Sequence, residues 1–176
     1  MAEGWSVSAM RRRVDRLPEG FNPIAGDYTQ PNDIAGLIDL QPDYVVFTPL
    51  PTARDSAGYH QGYAQPVALM ADLGLLSTVK GGIFVSSTRV FAQTDGDWVD
   101  ENSPLTQSDP QGMSIVEAEH QFLAACKNPT VLRASGIYGD WPGMLIKRLQ
   151  RGLCSPDPDR VSNRIHRDDL AGIMAF

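Results

Sequence analysis

A short apolar run, Ile83-Phe84-Val85, limits most strongly what this chain can fold into. Two glycines precede it. A run this short, rich in β-branched and aromatic residues, is typical of a strand that is buried on both faces of a sheet. It ends in three hydroxyl residues, Ser86-Ser87-Thr88. In open α/β sheets ligands bind beyond the carboxyl ends of the strands, where hydroxyl groups can donate hydrogen bonds without carrying charge. The alternative interpretation is a turn in which these hydroxyls only cap the next element.

Strand and helix patterns alternate along the chain. Strands are predicted at residues 5–10, 21–25, 44–48, 83–85 and 130–132, with a further extended segment at 163–166. Helical spacing of apolar residues is seen at 31–38, 59–76, 115–126 and 145–149, and a last helix starts at 168. Pro66 predicts a kink or a new helix start near it, because an interior proline disrupts a helix. Residues 94–111 are predicted to form a loop, and residues 136–139 a turn.

This alternation predicts an α/β fold, a Rossmann-like doubly wound and mostly parallel sheet with helices on both faces. The 176 residues are enough for one domain, predicted to span residues 1–176. Ligands of such sheets are often nucleotides, which bind at the carboxyl ends of the strands.

Composition excludes several classes of function. The formal net charge of −6 and the pI near 4.9 argue against a nucleic-acid binder, which is usually basic. The two cysteines, Cys126 and Cys154, have no Cys-x-x-Cys spacing, so neither a disulfide framework nor a cysteine-rich metal site is predicted. No apolar run has the length of a membrane span. A reduced, cytoplasmic setting without membrane or nucleic-acid partners is therefore the expectation.

Five motifs, in this order and spacing, resemble the extended and atypical short-chain dehydrogenase/reductases, in particular the NAD-dependent epimerase/dehydratase group. They are residues 46–48 (VFT), 84–91 (FVSSTRVF), 98–105 (WVDENSPL), 132–139 (LRASGIYG) and 163–171 (NRIHRDDLA). Each motif is weak alone, but together they cover nearly the whole chain.

The resemblance implies a nicotinamide cofactor, NADP or NAD, and a reaction on a nucleotide sugar or a similar carbonyl compound. It implies a catalytic hydroxyl at Ser87 that bonds the reacting substrate oxygen. Substrate contacts are implied for Thr88, Arg164 and His166. Cofactor contacts are implied for Arg11, Arg12, Asp27, Tyr28, Thr48, Pro49, Ser86 and Gly136. Arginines after the second strand of the family favour the 2′-phosphate of NADP, although composition alone favours a solvated basic turn at these residues. A homodimer is also compatible with the resemblance.

The N-terminal residues of the chain differ from the pattern of the family. The family opens with a strand, a glycine-rich turn and a helix that together bind the diphosphate of the cofactor. Here the first residues, Met1-Ala2-Glu3-Gly4, contain no such turn. The chain therefore resembles a fragment that lacks the first βα unit and the C-terminal part. We expect a missing strand beside those of Val45 and Val85, an exposed apolar sheet edge, and weak cofactor binding.

A second departure concerns catalysis. The family uses a tyrosine and, four residues later, a lysine that lowers the pKa of the tyrosine. Aligned on residues 118–121, this chain has Gln111 and Ile115 at these two positions, and neither can exchange a proton. Tyr138 and His166 are candidate replacements that the sequence does not place. The alternative to an enzyme is therefore a non-catalytic NAD(P)-binding module or a decayed fragment.

Overall fold

The computed structural model describes residues 4–139, 143–153 and 162–175. Every strand pair within these residues is parallel. The pairs form three separate ladders with the orders β1-β2, β3-β4-β5 and β6-β7. The strands are β1 (Ser8–Arg11), β2 (Asn22–Ala25), β3 (Tyr44–Phe47), β4 (Gly81–Ser87), β5 (Pro129–Ala134), β6 (Gly136–Tyr138) and β7 (Arg164–His166).

Helices separate most of these strands, which confirms the predicted α/β fold class. The helices are α1 (Pro31–Ala35), α2 (Ser56–Tyr59), α3 (Gln65–Asp72), α4 (Leu75–Thr78), α5 (Pro110–Ala125), α6 (Met144–Gln150) and α7 (Arg167–Ala175). Short 3₁₀ turns lie at Val14–Arg16, Ile38–Leu40 and Thr88–Val90. Phe176, the end of the predicted last helix, lies outside the described residues. Across the described ranges, none of the helices is both long and apolar enough to span a membrane.

The central strand β4 is confirmed, with parallel neighbours on both sides. Phe84 has no exposed surface, and its ring lies 5.9 Å from that of Phe47 on β3 and 5.6 Å from that of Phe122 on α5. Gly82 allows α5 to approach, since a Cβ there would lie 2.8 Å from the ring of Phe122. One aromatic cluster therefore fixes β3, β4 and α5 against each other.

The helix predicted at 59–76 is divided. It begins at Ser56, passes through a π turn at His60–Ala64, and continues as α3 with Pro66 in its first turn. A proline cannot donate the regular helical hydrogen bond, and the wider π turn precedes it. This outcome confirms the predicted disturbance near Pro66. Gly74, at φ +75°, then ends α3 and separates it from α4.

The prediction of a turn at residues 136–139 is wrong in part, because Gly136–Tyr138 form strand β6. The strand pairs with β7, in the register Gly136 to Arg164 and Tyr138 to His166. The two glycines are a local turn signal, but a partner strand about 28 positions away decides the structure. The extended segment predicted at 163–166 is confirmed as β7.

The β1-β2 ladder is not hydrogen-bonded to the β3-β4-β5 ladder. Two aromatic contacts connect them instead. Trp5, just before β1, lies with its ring 5.4 Å from that of Tyr44 at the start of β3. Tyr28, after β2, lies with its ring 5.3 Å from that of Phe47 at the end of β3. The described residues thus contain the interrupted sheet that the sequence leads one to expect.

We predict that Phe84→Ala lowers the free energy of unfolding by about 3–5 kcal/mol, because it leaves a cavity where three elements meet. Urea denaturation followed by circular dichroism measures this change. Leu123→Ala, at a position of α5 that is 44% exposed, is the control and should cost less than about 1 kcal/mol. Equal losses in the two variants would contradict the central role of Phe84.

Candidate functional site

Parallel pairing places the ends of three strands at one edge of the sheet. Phe47 of β3 pairs with Phe84, and Ser87 at the end of β4 pairs with Ala134 at the end of β5. The segments that follow therefore leave the same edge: the loop from Thr48, the 3₁₀ turn from Thr88, and β6 from Gly136. We call this edge the carboxyl rim. It is the edge at which open α/β sheets bind ligands.

Ser87 and Thr88 are half-buried at this rim. The Ser87 Oγ accepts a hydrogen bond from the backbone N–H of Arg89 at 3.2 Å and so caps the 3₁₀ turn. The capping interpretation of Ser87 is thus correct for one of its interactions. That bond uses an oxygen lone pair and leaves the hydroxyl proton able to donate to a ligand.

Ser86 lies on the opposite face of β4 from Ser87, because successive side chains of a strand alternate. It is buried, and its Oγ donates to the Oε1 of Glu119 on α5 at 2.5 Å. This placement differs from the predicted cofactor contact of Ser86, since the hydroxyl is used inside the protein.

Glu119 is only 1% exposed and forms a buried ion pair with Arg133 of β5. The Arg133 Nη2 lies 2.9 Å from the Glu119 Oε2, and its Nε lies 3.2 Å from both carboxylate oxygens. Arg133 also donates to the backbone carbonyl of Glu101 at 3.3 Å. The sequence reasoning missed this network. One feature of the sequence indicates the network: Glu119 lies between Ile115 and Phe122, on the apolar side of a helix. A charge buried there needs a partner of opposite charge.

The Asp27-Tyr28 segment contacts the loop after β3. The Tyr28 hydroxyl accepts from the backbone N–H of Leu50 at 2.8 Å and donates to its carbonyl at 2.9 Å. Burial raises the pKa of Tyr28, so this phenol stays protonated at neutral pH. The structure thereby brings Asp27 and Tyr28 close to the loop of Thr48 and Pro49. Thr48 is exposed and Pro49 is buried.

Asp27 is a carboxylate at neutral pH. The backbone N–H of Thr29 is the main cause that lowers the pKa of Asp27, and the nearby Arg12 lowers it further. The Arg12 Nη1 lies 3.6 Å from the Asp27 Oδ2. Arg11 is turned away, since its Nη1 donates to the carbonyl of Arg16 at 3.2 Å. Of the two predicted arginines, Arg12 is therefore the one beside the predicted acidic residue.

Three further predicted residues come together on the β6-β7 pair. Gly136 lies opposite Arg164, and both are exposed. The His166 ring meets the Tyr138 ring edge-on at 5.0 Å. The His166 Nδ1 accepts from the backbone N–H of Asp168 at 3.3 Å and lies 3.7 Å from the Asp168 Oδ2. Within the described parts of the chain, no group of three or more His, Cys, Asp or Glu side chains is arranged to hold a metal ion.

No family model matches the chain. The Escherichia coli protein YeeZ is 30% identical over an alignment of 187 residues. The alignment covers 99% of this chain and 65% of YeeZ. The structure of a candidate NAD-dependent epimerase/dehydratase from Methylobacillus flagellatus is 31% identical, with a TM-score of 0.71 over 98% of this chain and 60% of that one. The chain resembles an NAD-dependent epimerase/dehydratase in both sequence and fold. It spans less than two thirds of the length of these relatives.

A more distantly related structure has the same fold. The Bordetella bronchiseptica enzyme WbmG, solved in complex with NAD and UDP, is 18% identical, with a TM-score of 0.74 over 98% of this chain and 60% of WbmG. The Rossmann-like fold is thus confirmed over nearly all of the chain.

The structure explains why the two positions aligned with the family's tyrosine and lysine do not supply a proton-transfer pair. The Gln111 Nε2 donates to the backbone carbonyl of Arg54 at 2.8 Å and so connects α5 to the loop after β3. Ile115 has no exposed surface and belongs to the hydrophobic core. An amide serves as a structural contact at one position, and an apolar side chain fills the core at the other.

A second cluster that the sequence reasoning missed fixes the start of α5 beside the Ser87-Thr88 turn. The Arg89 guanidinium binds the Asp109 carboxylate through Nε at 2.6 Å and Nη2 at 3.0 Å. It also lies 5.3 Å from the centre of the Tyr59 ring. The hydrogen bond from Arg89 is the main cause that lowers the pKa of Asp109. The same carboxylate caps α5 by accepting from the N–H of Gln111.

We predict that Arg133→Met lowers the free energy of unfolding by about 3–5 kcal/mol at pH 7, because it leaves the Glu119 carboxylate buried without its partner. Adding Glu119→Gln should recover part of the loss. The exposed pair Lys80–Asp43, at 2.8 Å, supplies the control: Lys80→Met should cost much less than Arg133→Met, because water screens this pair. Urea unfolding compares the three variants. A loss for Arg133→Met no larger than that for Lys80→Met would refute the buried pair.

Proposed function

We propose that the whole protein is an NAD(P)-dependent epimerase/dehydratase or oxidoreductase that acts on a nucleotide sugar or a similar carbonyl compound. This chain would supply a large part of its cofactor and substrate pocket. The observation that carries the proposal is the position of Ser87 and Thr88 at the carboxyl rim of a central parallel strand, in a chain that resembles this family. WbmG, which shares the fold, was solved with both NAD and UDP.

The rim residues suit the two ends of a dinucleotide. We propose that Asp27, Tyr28 and the Thr48-Pro49 loop hold the adenosine end, and that Gly136 lies at the nicotinamide end. Within residues 4–139, 143–153 and 162–175, no glycine-rich turn connects a strand to a helix, so these residues offer no cradle for the diphosphate. Binding by the 176-residue chain alone should therefore be weak.

The choice between NADP and NAD depends on Arg12 in this proposal. Arg12 is exposed, and a guanidinium can bind the 2′-phosphate of NADP through two hydrogen bonds. Asp27 shares the charge of Arg12, which moderates this preference. We favour NADP by a small margin, with Arg11 in a secondary role because its guanidinium already donates to a carbonyl.

Ser87 is the proposed catalytic residue. Its free hydroxyl proton can donate to the reacting oxygen of the substrate, which stabilises charge on that oxygen. Thr88 extends the same row of hydroxyls. Arg164 can pair with a substrate phosphate, and His166 can donate from Nε2. The cofactor, when bound, supplies the redox chemistry at the sugar carbon, while these side chains bind and orient the substrate. Ser86 would act indirectly, by fixing the end of β4 through Glu119.

A non-catalytic NAD(P)-binding module is the second candidate. It is favoured by the structural use of Gln111 and the burial of Ile115, which leave the family's proton-transfer pair unreplaced at those positions. Such a module would bind the cofactor at the same rim and convert no sugar. Activity with intact binding is therefore the measurement that separates the two candidates.

The proposed function is tested with a chimera that joins this chain to the stretches of YeeZ outside the matched region. We expect the chain alone to bind NADPH and NADH with a Kd above about 100 μM, and the chimera to bind at least about 100-fold more tightly, a gain of about 2.7 kcal/mol. Nucleotide fluorescence measures both. Arg12→Ala should weaken NADPH binding more than NADH binding.

Turnover of UDP-sugars by the chimera then tests Ser87. Ser87→Ala should lower kcat by about 100-fold or more with little change in cofactor affinity, because one hydrogen bond to the reacting oxygen is lost. Ser103→Ala, in the loop before α5, is the control. A chimera that binds neither cofactor would overturn the proposal, and one that binds but converts no sugar would favour the non-catalytic module.

A further inference from the structure

One side chain that follows the β1-β2 ladder holds the loop after β3. The Tyr28 hydroxyl accepts from the backbone N–H of Leu50 at 2.8 Å and donates to the carbonyl of the same residue at 2.9 Å. A phenol carries a single proton that it can donate. Because the Leu50 carbonyl takes that proton, the hydroxyl has none left to donate to a ligand.

Tyr28 is itself fixed in place. The backbone N–H of the preceding residue, Asp27, donates to the Asp33 Oδ2 at 2.8 Å. The Asp27 Oδ1 accepts from the backbone N–H and the hydroxyl of Thr29 at 3.0 and 2.8 Å. The Tyr28 ring also meets the ring of Phe47 edge-on at 5.3 Å. The turn before α1 and the end of β3 therefore fix the position from which the hydroxyl reaches Leu50.

The other side of the loop packs against α2 and the π turn. A Cβ at Gly62 would collide with the backbone of Leu50 and Pro51, so only a glycine allows this approach. The backbone N–H of Thr52 donates to the carbonyl of Gly58 at 3.1 Å. The loop is thus held between Tyr28 on one side and a helical backbone on the other.

Backbone hydrogen bonds, rather than burial of its side chain, hold Leu50. The residue is 69% exposed, so the transfer of its side chain from water contributes little to the position of the loop. Leu50 follows Thr48 and Pro49, the two loop residues that the proposed function places at the cofactor. A displacement of Leu50 would therefore displace the cofactor side of the rim as well.

We propose that Tyr28 is a positioning residue, whose hydroxyl fixes the loop after β3 and so the places of Thr48 and Pro49. Tyr28 then supports the adenosine end through this loop and not by a hydrogen bond to the ligand. A loop that is already held in its bound position loses less conformational freedom on binding. The effect on nucleotide affinity rests on the proposed function, whereas the effect on the loop does not.

The test of the loop compares two matched Tyr→Phe variants of the 176-residue chain without nucleotide. Tyr28→Phe removes the hydroxyl and keeps the ring that packs on Phe47. Tyr44→Phe makes the same exchange at the start of β3, at the opposite edge of the sheet. By NMR, the Leu50 amide should exchange its hydrogen at least about tenfold faster in Tyr28→Phe and at an unchanged rate in Tyr44→Phe. Circular dichroism verifies that both variants fold.

NMR titration of the same variants with NADH and NADPH tests the effect on binding, followed at the amides of Thr48 and Ser87. Tyr28→Phe should raise both Kd values by the same factor, at least about threefold, because the position of the loop serves both nucleotides equally. Tyr44→Phe should bind as the unchanged chain does. A loss of stability alone would leave the Kd of the folded chain unchanged.

The proposal is overturned if the Leu50 amide exchanges at the same rate in Tyr28→Phe as in the unchanged chain. Weaker binding with that result would identify Tyr28 as a direct ligand contact. Faster exchange with unchanged Kd values also overturns the proposal. If the unchanged chain binds neither nucleotide, the proposed function fails, and the Leu50 exchange rate alone then supports or overturns the role of Tyr28 in holding the loop.

Discussion

The parallel ladder of β3, β4 and β5 around the buried Phe84 determines where the hydroxyl residues of the candidate site lie. Its rings hold β3 and α5 in place, and its register brings the ends of three strands to one edge. Ser87 and Thr88 follow directly from the end of β4. A parallel sheet has this consequence because all of its strands end on the same side, so that short loops collect polar groups there.

Successive side chains of β4 point to opposite faces of the sheet, so its neighbouring hydroxyl residues have different roles. Ser86 faces α5 and joins the buried Glu119–Arg133 pair, whereas Ser87 faces the rim. The buried network connects β4, β5 and α5 at the level of the site, and the Arg89–Asp109 pair fixes the start of α5 next to it. Rigid elements thus hold the rim hydroxyls. On the other side of β3, in the described residues, no strand ladder connects β3 to β1.

Most of the fold follows from the sequence because strand and helix periodicities are local signals. The central strand, its hydroxyl end and the disturbance at Pro66 could all be predicted in this way. Strand β6 could not, because its pairing with β7 depends on residues far along the chain. The burial of Ser86 follows from a one-residue difference in facing direction that a row of three hydroxyls does not reveal. The family resemblance, which no single motif carries, predicted the interrupted sheet.

The direct test of the carboxyl rim as a nicotinamide-dinucleotide pocket is a heteronuclear NMR titration of the 176-residue chain with NADH and NADPH, which detects weak binding. The amide signals of Thr48, Ser87, Thr88 and Gly136 should shift together and saturate at one common Kd, with Asp27 and Tyr28 following the same curve. Shifts confined to the outer surface of α5, or no shifts at millimolar nucleotide, would contradict a cofactor site at this rim.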